Sequence, residues 1–372
     1  MPDLRYAFIV GARPNFVKIA PILRAFAAYA HVQTRLVHTG QHYDKALSDV
    51  FFEELEIPRP DESLGVGSGS HGQQTGKLIP ALEDMLVRNY GGGGECSGVV
   101  VVGDVNSTMA AALAAAKLNV PVHHVEAGLR SFDRTMPEEI NRLVTDAVSD
   151  RLFVSEPEGV ENLRREGRDD DRVHLVGNVM IDTLLRRLPA AHGRDTLARH
   201  EVTPGGYGVV TLHRPSNVDD PETLSAILDV LTRTAERLPL VFPVHPRTAA
   251  RLEEFGLKAK LDAAPGIKQA GPAAYLDFLC LTSQAKLIVT DSGGLQEEST
   301  VLKVPCLTMR ANTERPVTVT EGSSTLVSND AAALAEGIEQ VLGGTYKPGR
   351  VPELWDGKAA ERIAAVLAES AV

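Results

Sequence analysis

The sequence predicts an α/β protein made of two doubly wound, Rossmann-like domains, each with a parallel sheet. Two observations carry this prediction. Short apolar segments rich in β-branched residues alternate with helical segments, and the alternation occurs twice along 372 residues, more than one hydrophobic core usually supports. The strand segments are apolar throughout rather than alternately polar and apolar, as expected when helices cover both faces of a sheet.

The first half of the chain supplies strands that alternate with helices. We place the strands at residues 6–10, 33–38, 99–102, 120–125 and 151–154. We place the helices at residues 16–29, 75–88, 107–117 and 137–148. The glycine run at residues 91–94 is predicted to be a loop that leads into a buried strand.

The second half repeats the pattern. Strands are predicted at residues 208–212, 240–244, 285–290 and 305–309, and helices at 223–237, 294–302 and 331–342. Residues 186–204 are polar and weakly patterned, which favours a linker. We expect a first domain of residues 1–182, with a C-terminal helix at 356–372 crossing back to it, and a second domain of residues 183–355.

Composition argues against several classes of protein. The formal net charge is −11 and aromatic residues make up 5% of the chain, which disfavours a nucleic-acid-binding protein. No apolar stretch approaches the roughly 20 residues that span a membrane, and the first residues lack the pattern of a secretory leader. Cys96, Cys280 and Cys306 are widely spaced, which favours a reducing cytoplasm and gives no metal-binding pattern.

The loop after the first strand carries an anion-binding pattern. Ligands of open parallel sheets bind at the carboxyl ends of the strands, so binding groups are expected in these loops. In GARPNFVK, Gly11 permits a tight turn, Arg13 can contact an anion, and Lys18 lies on the first turns of the helix. A cation there opposes the helix dipole, which favours an anionic ligand over a solvated helix start.

The segment TDSGGLQEES offers a second anion site. Ser292, Gly293 and Gly294 precede a helix, and two glycines let backbone amides approach a phosphate at the positive end of that helix. An ordinary capped helix with acidic residues in its first turn is the alternative interpretation. His213 and His245 each follow a strand of the second half, and either could be a structural histidine or a ligand-binding one.

Three carboxylates follow strands of the first half. Asp104 comes directly after a four-valine strand, Glu126 ends the next buried strand, and Glu138 opens a helix behind a proline. Capping could explain Asp104 and the helix dipole could explain Glu138, but Glu126 needs cationic partners. The candidate partners are Arg130, Arg134 and Arg142. Crowded carboxylates raise one another's pKa and so supply an acid and a base, and with phosphate-binding groups they suit a nucleotide-sugar enzyme.

Taken together, nine of these segments resemble a known family, the non-hydrolysing UDP-N-acetylglucosamine 2-epimerases. In chain order they are GARPNFVK, HTGQHYD, GDVNST, HVEAGLRSF, MPEEINR, TLHRPSN, PVHPR, TDSGGLQEE and TERP. The resemblance spans nearly the whole chain, from residue 10 to the segment DGKAAERI. It implies a glycosyltransferase-B-like fold, with two domains facing across a cleft that holds the active site.

The resemblance also implies the reaction. The enzyme would interconvert UDP-N-acetylglucosamine and UDP-N-acetylmannosamine by eliminating UDP to leave 2-acetamidoglucal, and then adding UDP back with the proton on the opposite face. No cofactor or metal is needed, and such products serve as precursors of cell-surface polysaccharides. We expect a homodimer that takes a UDP-sugar and has neither nucleic acid nor membrane as a partner.

Individual residues match the roles that this family assigns. Asp104, Glu126 and Glu138 match the catalytic carboxylates that move the proton, and which of them is the base stays open. Lys18 and His213 match residues that assist the departing diphosphate. The residues predicted to bind the substrate are Arg13, Gln41, His42, Arg130, His245, Ser292, Gly293, Gly294, Glu298 and Arg315. Glu298 is expected to hydrogen-bond the ribose hydroxyls.

The chain departs from better-known members of the family in two places. Tyr43 and Asp44 follow the QH pair, and Pro215, Ser216 and Asn217 stand where those members carry a longer basic run. With FFEELEIPRPD and LGVGSGSHG, these positions are closer to a branch that includes UDP-2,3-diacetamido-2,3-dideoxy-glucuronate 2-epimerases. The exact sugar, allosteric activation by a second substrate molecule, and a hydrolysing outcome that releases N-acetylmannosamine stay open.

Each alternative function has its own requirement. The carboxylate of a diacetamido-glucuronate would need another cation, which Arg130, Arg134 or Arg247 could supply. A glycosyltransferase of the same fold would need an acceptor and would not exchange solvent deuterium into carbon 2. A non-catalytic nucleotide-sugar sensor is disfavoured, because three acids near an anion do not help binding.

Overall fold

The structure is a computed structural model that describes residues 3–40, 52–168 and 171–369, with the side chain of Arg13 excepted. The chain divides into two compact units. Unit 1 comprises Met1–Thr183 and Glu353–Val372, and unit 2 comprises Leu184–Pro352. Each unit contains one sheet whose strands are all paired in parallel, so the predicted class of two doubly wound α/β sheets is confirmed.

The described part of unit 1 contains a seven-stranded sheet. Its strands are β1 (Leu4–Val10), β2 (Val32–His38), β3 (Glu62–Ser63), β4 (Gly98–Val102), β5 (Val122–Ala127), β6 (Arg151–Val154) and β7 (Val173–Leu175). Its described helices up to the boundary with unit 2 are α1 (Arg13–Phe26), α2 (His71–Tyr90), α3 (Asn106–Lys117), α4 (Pro137–Val148), α5 (Pro157–Arg165) and α6 (Val179–His192). Helix α6 begins in unit 1 and continues into unit 2.

The strand order of this sheet, β3-β2-β1-β4-β5-β6-β7, reverses direction between β1 and β4. The loops after β1 and β4 therefore leave the sheet at the point where open α/β sheets bind their ligands. All five residues of β4 are buried, and on one face of the sheet leucine side chains of α2 and alanine side chains of α3 pack with Val99 and Val101. A buried central strand thus ends at the predicted Asp104 loop.

The described part of unit 2 contains a six-stranded sheet in the order β10-β9-β8-β11-β12-β13. Its strands are β8 (Gly208–Thr211), β9 (Leu240–Pro243), β10 (Ile267–Ala270), β11 (Leu287–Thr290), β12 (Cys306–Thr308) and β13 (Ser324–Leu326). Its helices are α7 (Thr196–Arg199), α8 (Pro215–Val218), α9 (Pro221–Ala235), α10 (Pro246–Glu254), α11 (Lys258–Asp262), α12 (Tyr275–Ser283), α13 (Gly293–Leu302), α14 (Val317–Thr320) and α15 (Ala331–Leu342). The order reverses between β8 and β11, so the loops that carry His213 and Ser292 leave the sheet at its switch point.

The last described helix, α16 (Ala359–Ala368), belongs to unit 1 and packs on α1. The Asp182 carboxylate accepts hydrogen bonds from the backbone nitrogens of Ala359, at 3.2 Å, and Ala360, at 2.7 Å. Trp355 donates from Nε1 to the carbonyl of Ser155, at 3.0 Å. These contacts attach the segment that follows unit 2 to the part of unit 1 that precedes it.

One sequence prediction about the fold is wrong. Residues 186–204 are not a linker but lie mostly in α6 and α7, because Leu184 and Ala191 pack with apolar residues of α12 despite the polar residues between them. The glycine run at 91–94 connects α2 to β4, and within it Gly91–Gly93 forms one 3-10 turn with left-handed φ values at Gly91 and Gly92.

Candidate functional site

The carboxyl end of the sheet in unit 1 brings three predicted site residues together. Lys18 on α1 forms an ion pair with Glu126 at the end of β5, and only 8% and 6% of the two side chains are exposed. Gly103, which follows β4, has a φ of 71°, and a Cβ added to it would lie 3.2 Å from Lys18 Nζ and 3.4 Å from Glu126 Oε2. A side chain at position 103 would press on the pair. Asp104 follows next, so three loops converge here.

Asn15 fixes the turn that leads into Lys18. Its Oδ1 accepts hydrogen bonds from the backbone nitrogens of Gly11, at 3.2 Å, and Ala12, at 3.0 Å. Its Nδ2 donates to the carbonyl of Val102 at the end of β4, at 2.9 Å. Because one buried side chain bonds both loops, the turn after β1 is tied to β4 across the switch point.

Glu126 has a strained backbone. Its φ is 73°, in the left-handed region that few residues other than glycine adopt. The pairing of β5 with β6 shifts register between Val125 and Ala127, on either side of it. A bulge of this kind re-aims a side chain, and such strain costs about 1–3 kcal/mol and is concentrated at functional sites. The conformation supports the prediction that this carboxylate has a function beyond packing.

Asp104 is held by Arg142 of α4. Arg142 Nη1 lies 2.5 Å from Asp104 Oδ2, and Arg142 Nη2 lies 2.8 Å from Glu139 Oε2. The arginine side chain is 2% exposed, whereas that of Asp104 keeps 29% of its surface exposed. Arg142, a predicted partner of Glu126, thus contacts a different predicted carboxylate. Asp104 is anchored through one oxygen while part of its surface can still meet a ligand.

Glu138 and Glu139 open α4 in different surroundings. Burial alone would raise the pKa of Glu139, but hydrogen bonds from Ser131 and its ion pair with Arg142 outweigh burial and lower that pKa. Glu139 also accepts from the backbone nitrogen of Phe132, at 3.0 Å, and so holds the loop before α4. Glu138 is half-buried, and among the described residues its carboxylate has no hydrogen bond or ion pair. Glu138 therefore keeps its carboxylate available, one helical turn from Arg142.

Arg130 belongs to a buried set of ion pairs. Its Nη2 lies 2.7 Å from Asp146 Oδ2 and 2.6 Å from Glu166 Oε2, and its Nη1 donates to the carbonyl of Leu129, at 2.7 Å. The residue is 3% exposed. Contact with a substrate would require breaking these bonds, so the structure argues against the predicted substrate-binding role of Arg130.

In unit 2, a histidine and an aspartate pair at the ends of β8 and β11. Asp291 Oδ1 lies 2.7 Å from His213 Nδ1, and Asp291 Oδ2 accepts hydrogen bonds from the backbone nitrogens of His213 and Arg214, both at 2.8 Å. Burial alone would raise the pKa of Asp291, but His213 and these backbone donors lower it. A carboxylate on Nδ1 fixes the orientation of an imidazole and leaves Nε2 for a ligand.

His245 stands beside His213, with 5.3 Å between the ring centroids. Its Nδ1 accepts a hydrogen bond from the backbone nitrogen of Arg247, at 3.2 Å, and so caps α10. Burial, and then the neighbouring His213, lower the pKa of His245, which favours its neutral ring. The two predicted histidines of the second half therefore lie together, one fixed by a carboxylate and one by a backbone amide.

The predicted phosphate site is the start of α13. Ser292 is the N-cap of this helix, but its side chain makes no capping hydrogen bond, so the alternative of an ordinary capped helix is not observed. A Cβ added to Gly293 would lie 3.0 Å from Glu314 Oε1 and 3.5 Å from Nη1 of both Arg310 and Arg315. The nearest side-chain atom is a carboxylate oxygen, and both guanidinium groups are paired, Arg310 with Glu314 and Arg315 with Glu297 and Glu314. The backbone amides of the helix start are the groups that suit a phosphate.

Two glutamates near this helix start have opposite pKa shifts. Glu314 lies 2.7 Å from both Arg310 and Arg315, and although burial alone would raise its pKa, the two arginines hold that pKa far below its usual range. Glu298 is 6% exposed, and burial, followed by the charge of Glu297, raises its pKa to about 8. The raised pKa favours the protonated form of Glu298, which can both donate and accept hydrogen bonds.

Some predicted residues cannot be compared with the structure. Gln41 and His42 lie outside the described residues, and so does the side chain of Arg13. Gly294 is the second residue of α13. Within the described ranges, His, Cys, Asp and Glu side chains form no group of three that could hold a metal ion. No helix in the same ranges has the length and apolar composition of a membrane span.

Sequence analysis missed Asp291, Arg310 and Glu314. Asp291 could have been found, because it ends a buried strand in the same way as Glu126 and directly precedes the predicted Ser292. The contacts of Arg310 and Glu314 had no signal in the sequence. These side chains meet the start of α13 only after β12 has paired with β11.

Comparison with families and curated proteins gives concordant matches. A family model described as UDP-N-acetylglucosamine 2-epimerase matches residues 24–368. The UDP-N-acetylglucosamine 2-epimerase of Methanocaldococcus jannaschii is 41% identical over 369 residues, which are 98% of this chain and 99% of that protein. The UDP-2,3-diacetamido-2,3-dideoxy-D-glucuronate 2-epimerase of Pseudomonas aeruginosa is 40% identical over 365 residues, which are 97% and 98% of the two chains.

Solved structures match over the same length. The crystal structure of the Methanocaldococcus jannaschii UDP-GlcNAc 2-epimerase in complex with UDP-GlcNAc and UDP has a TM-score of 0.87 at 40% identity, covering 99% of this chain and 100% of that chain. The UDP-GlcNAc 2-epimerase of Neisseria meningitidis bound to UDP-GlcNAc also has a TM-score of 0.87, at 26% identity and with the same coverage.

Proposed function

This chain belongs to the UDP-N-acetylglucosamine 2-epimerase family, and on that premise we propose that it is an isomerase that interconverts UDP-N-acetylglucosamine and UDP-N-acetylmannosamine. The observation that carries the proposal is the 41% identity to the Methanocaldococcus jannaschii enzyme across 98% of the chain. The resemblance inferred from nine short segments is confirmed by this membership. The meeting of Lys18, Asp104 and Glu126 at one end of a sheet supports the proposal, because these residues match the family's catalytic groups.

Inversion at carbon 2 requires a proton to leave one face of the sugar and return to the other. A carboxylate takes the proton from carbon 2, and the electron pair of the broken carbon–hydrogen bond becomes the second bond between carbons 1 and 2. The bond from carbon 1 to the β-phosphate oxygen breaks at the same time, and its electron pair leaves with UDP. UDP then adds back while a proton reaches the opposite face of the 2-acetamidoglucal. We assign these transfers to Asp104, Glu126 and Glu138, since positioned acid–base groups contribute about 10²–10⁴-fold to a rate.

The diphosphate needs fixed positive groups, because it gains negative charge as the bond to carbon 1 breaks. We assign this task to the amides at the start of α13 and to His213, whose ring nitrogen Nδ1 pairs with Asp291. Arg310 and Arg315 are paired with buried glutamates, so a contact with the diphosphate would require breaking these ion pairs. Lys18, matched to the same task, also pairs with Glu126. We therefore propose that Lys18 serves both the diphosphate and the orientation of that carboxylate.

Incubation with UDP-N-acetylglucosamine in heavy water tests the proposal. We expect deuterium at carbon 2 of both epimers, because the proton that returns comes from a group that has exchanged with solvent. Proton NMR of the UDP-sugars measures the deuterium content at carbon 2, and the Glu126→Gln variant is the negative control. Absence of label at carbon 2 from the wild-type reaction would contradict the proposal, and transfer of the sugar to an acceptor without label would indicate a glycosyltransferase.

A second candidate substrate is UDP-2,3-diacetamido-2,3-dideoxy-glucuronate, which the 40% identity to the Pseudomonas aeruginosa enzyme supports. Its sugar carboxylate requires a cation. Arg130 is paired with Asp146 and Arg247 with Asp219, whereas Arg134 is exposed and has no ion pair among the described residues. Feeding each UDP-sugar separately and following the product spectra identifies the substrate. The larger kcat/KM decides between them.

Three further features belong to the same proposal. We propose a non-hydrolysing reaction, and accumulation of free UDP with N-acetylmannosamine would contradict it. We propose a homodimer, which sedimentation velocity tests. We also propose a cytoplasmic location, in the synthesis of cell-surface polysaccharide precursors, and three buried cysteines without disulfides suit that reducing compartment.

A further inference from the structure

A largely buried series of acidic and basic side chains in contact lies next to the loops that carry the proposed catalytic carboxylates. His124 Nδ1 lies 2.6 Å from Asp146 Oδ1, and these side chains are 0% and 2% exposed. Neither residue is part of the proposed site. The series runs through Glu166, Arg130, Asp146 and His124 to the carbonyl of Gly103.

His124 faces a hydrogen-bond acceptor with each ring nitrogen. Nδ1 faces the carboxylate of Asp146, and Nε2 lies 2.9 Å from the carbonyl oxygen of Gly103. Burial alone would raise the pKa of Asp146, but His124 and Arg130 outweigh burial and lower that pKa, so Asp146 is a carboxylate. Both contacts of His124 are then hydrogen bonds only when both of its nitrogens carry protons.

The His124–Asp146 pair contacts the backbone of two loops. His124 contacts the carbonyl of Gly103, which has a φ of 71° and directly precedes Asp104. Asp146 Oδ2 accepts a hydrogen bond, at 3.1 Å, from the backbone nitrogen of Gly128, which has a φ of 80°. The strained Glu126 lies midway in the chain between His124 and Gly128. The backbone on both sides of this carboxylate is therefore fixed by the same pair.

We propose that His124 and Asp146 are positioning residues for the epimerase reaction, because they hold the Gly103 and Gly128 backbones that place Asp104 and Glu126. The inference rests on the proposed function. A buried ion pair is a poor source of stability, since removing two charges from water can cost more than their attraction returns. Fixing two left-handed turns next to catalytic groups is a task that apolar side chains of the same volume could not perform.

Two substitutions of His124 separate positioning from packing. His124→Gln can place an amide donor near the former Nε2, towards the Gly103 carbonyl, whereas His124→Asn can place one near the former Nδ1, towards Asp146. His123→Asn is the matched control. His123 is the preceding residue of β5 and is also buried, but it points to the other face of the sheet, where its ring packs 5.7 Å from that of Tyr6.

The expected result is a selective loss of kcat. His124→Asn should lower kcat by about 10²-fold, the cost of misplacing a reacting group by roughly 1 Å. KM and the affinity for UDP should change little, because all of the proposed diphosphate groups except Lys18 lie in unit 2. His124→Gln should recover much of the lost kcat, since it retains the donor to Gly103. His123→Asn should keep the wild-type kcat at temperatures where circular dichroism shows it folded.

Equal kcat values for the Asn and Gln variants of His124, or losses that follow the folded fraction, would overturn the inference. If His124→Asn does not fold, Asp146→Asn provides the same comparison of kcat with KM. If neither variant folds, the pair is structural and the inference is also overturned. If the wild-type protein introduces no deuterium at carbon 2, the proposed function itself is wrong. If the wild type is active and the variants are unimpaired, only the positioning role is wrong.

Discussion

Acidic residues at the ends of buried parallel strands pair with basic side chains in both units. Glu126 near the end of β5 pairs with Lys18, and Asp291 directly after β11 pairs with His213. A functional role for Glu126 could be predicted, because a carboxylate at the end of a buried strand is costly without polar partners. Its pairing with Lys18 could not be predicted, because 108 residues separate the two in sequence and only the parallel sheet brings their loops together.

Loss of any one proposed catalytic carboxylate should abolish most turnover without affecting nucleotide binding. Asp104→Asn, Glu126→Gln and Glu138→Gln are each expected to lower kcat by about 10²–10⁴-fold, because a positioned acid or base is lost while the shape of the side chain is kept. Steady-state kinetics and calorimetric titration with UDP measure the two effects. Glu161→Gln is the control, since its ion pairs on α5 are exposed. Near-normal kcat in all three variants would show that the assignment is wrong.

At the level of secondary structure, runs of apolar residues decided what could be predicted. The predicted bounds of β4, α4 and α15 lie within one residue of the observed bounds, because four valines or twelve patterned residues give a clear signal. The four-residue strands β6, β9 and β11 could also be predicted, because each contains three consecutive apolar residues. The strands β3, β7, β10 and β13 contain no such run and could not be predicted. Residues 186–204 were misassigned because their helical packing depends on α12, a helix that was itself not predicted.

The turn that joins β4 to α3 should tolerate no side chain at its first residue. Gly103→Ala is expected to lose about 1–2 kcal/mol of unfolding free energy from the left-handed φ alone, and to lose kcat because its Cβ would lie 3.2 Å from Lys18 Nζ. Urea unfolding and steady-state kinetics measure the two losses. Gly76→Ala, in the interior of α2 where an added Cβ meets nothing within 4 Å, should instead gain stability. If both alanine variants behave alike, the turn does not impose this constraint.

In the whole molecule, one buried carboxylate takes part in joining the two segments of unit 1. Asp182 lies on α6, before the division at Thr183, and accepts hydrogen bonds from the start of α16. Burial raises the pKa of Asp182 from 3.8 to about 6, although these backbone donors partly oppose the shift. The folded protein therefore binds this proton more tightly than the unfolded chain does. The stabilisation from this group is fully present below pH 3.8 and is lost as the pH rises through about 6.

Asp182→Asn should remove that loss of stability. The asparagine stays neutral, so the free energy of unfolding of the variant should rise relative to the wild type as the pH increases from 3.8 to about 6. Urea unfolding at a series of pH values measures the difference. Asp133→Asn is the control, because Thr135 lowers the pKa of the exposed Asp133, which therefore gives no such slope. A constant difference between wild type and Asp182→Asn would contradict the raised pKa.

The insertion of unit 2 within unit 1 also constrains biosynthesis. A ribosome delivers residues 1–183 first, but α16, which covers α1, emerges only after all of Leu184–Pro352. The contiguous middle of the chain can thus finish folding while the earlier segment still exposes the apolar surface that awaits its last helix. Vectorial synthesis usually completes the N-terminal domain first. Here the N-terminal unit cannot be completed until the segment Glu353–Val372, which follows unit 2, has been synthesised.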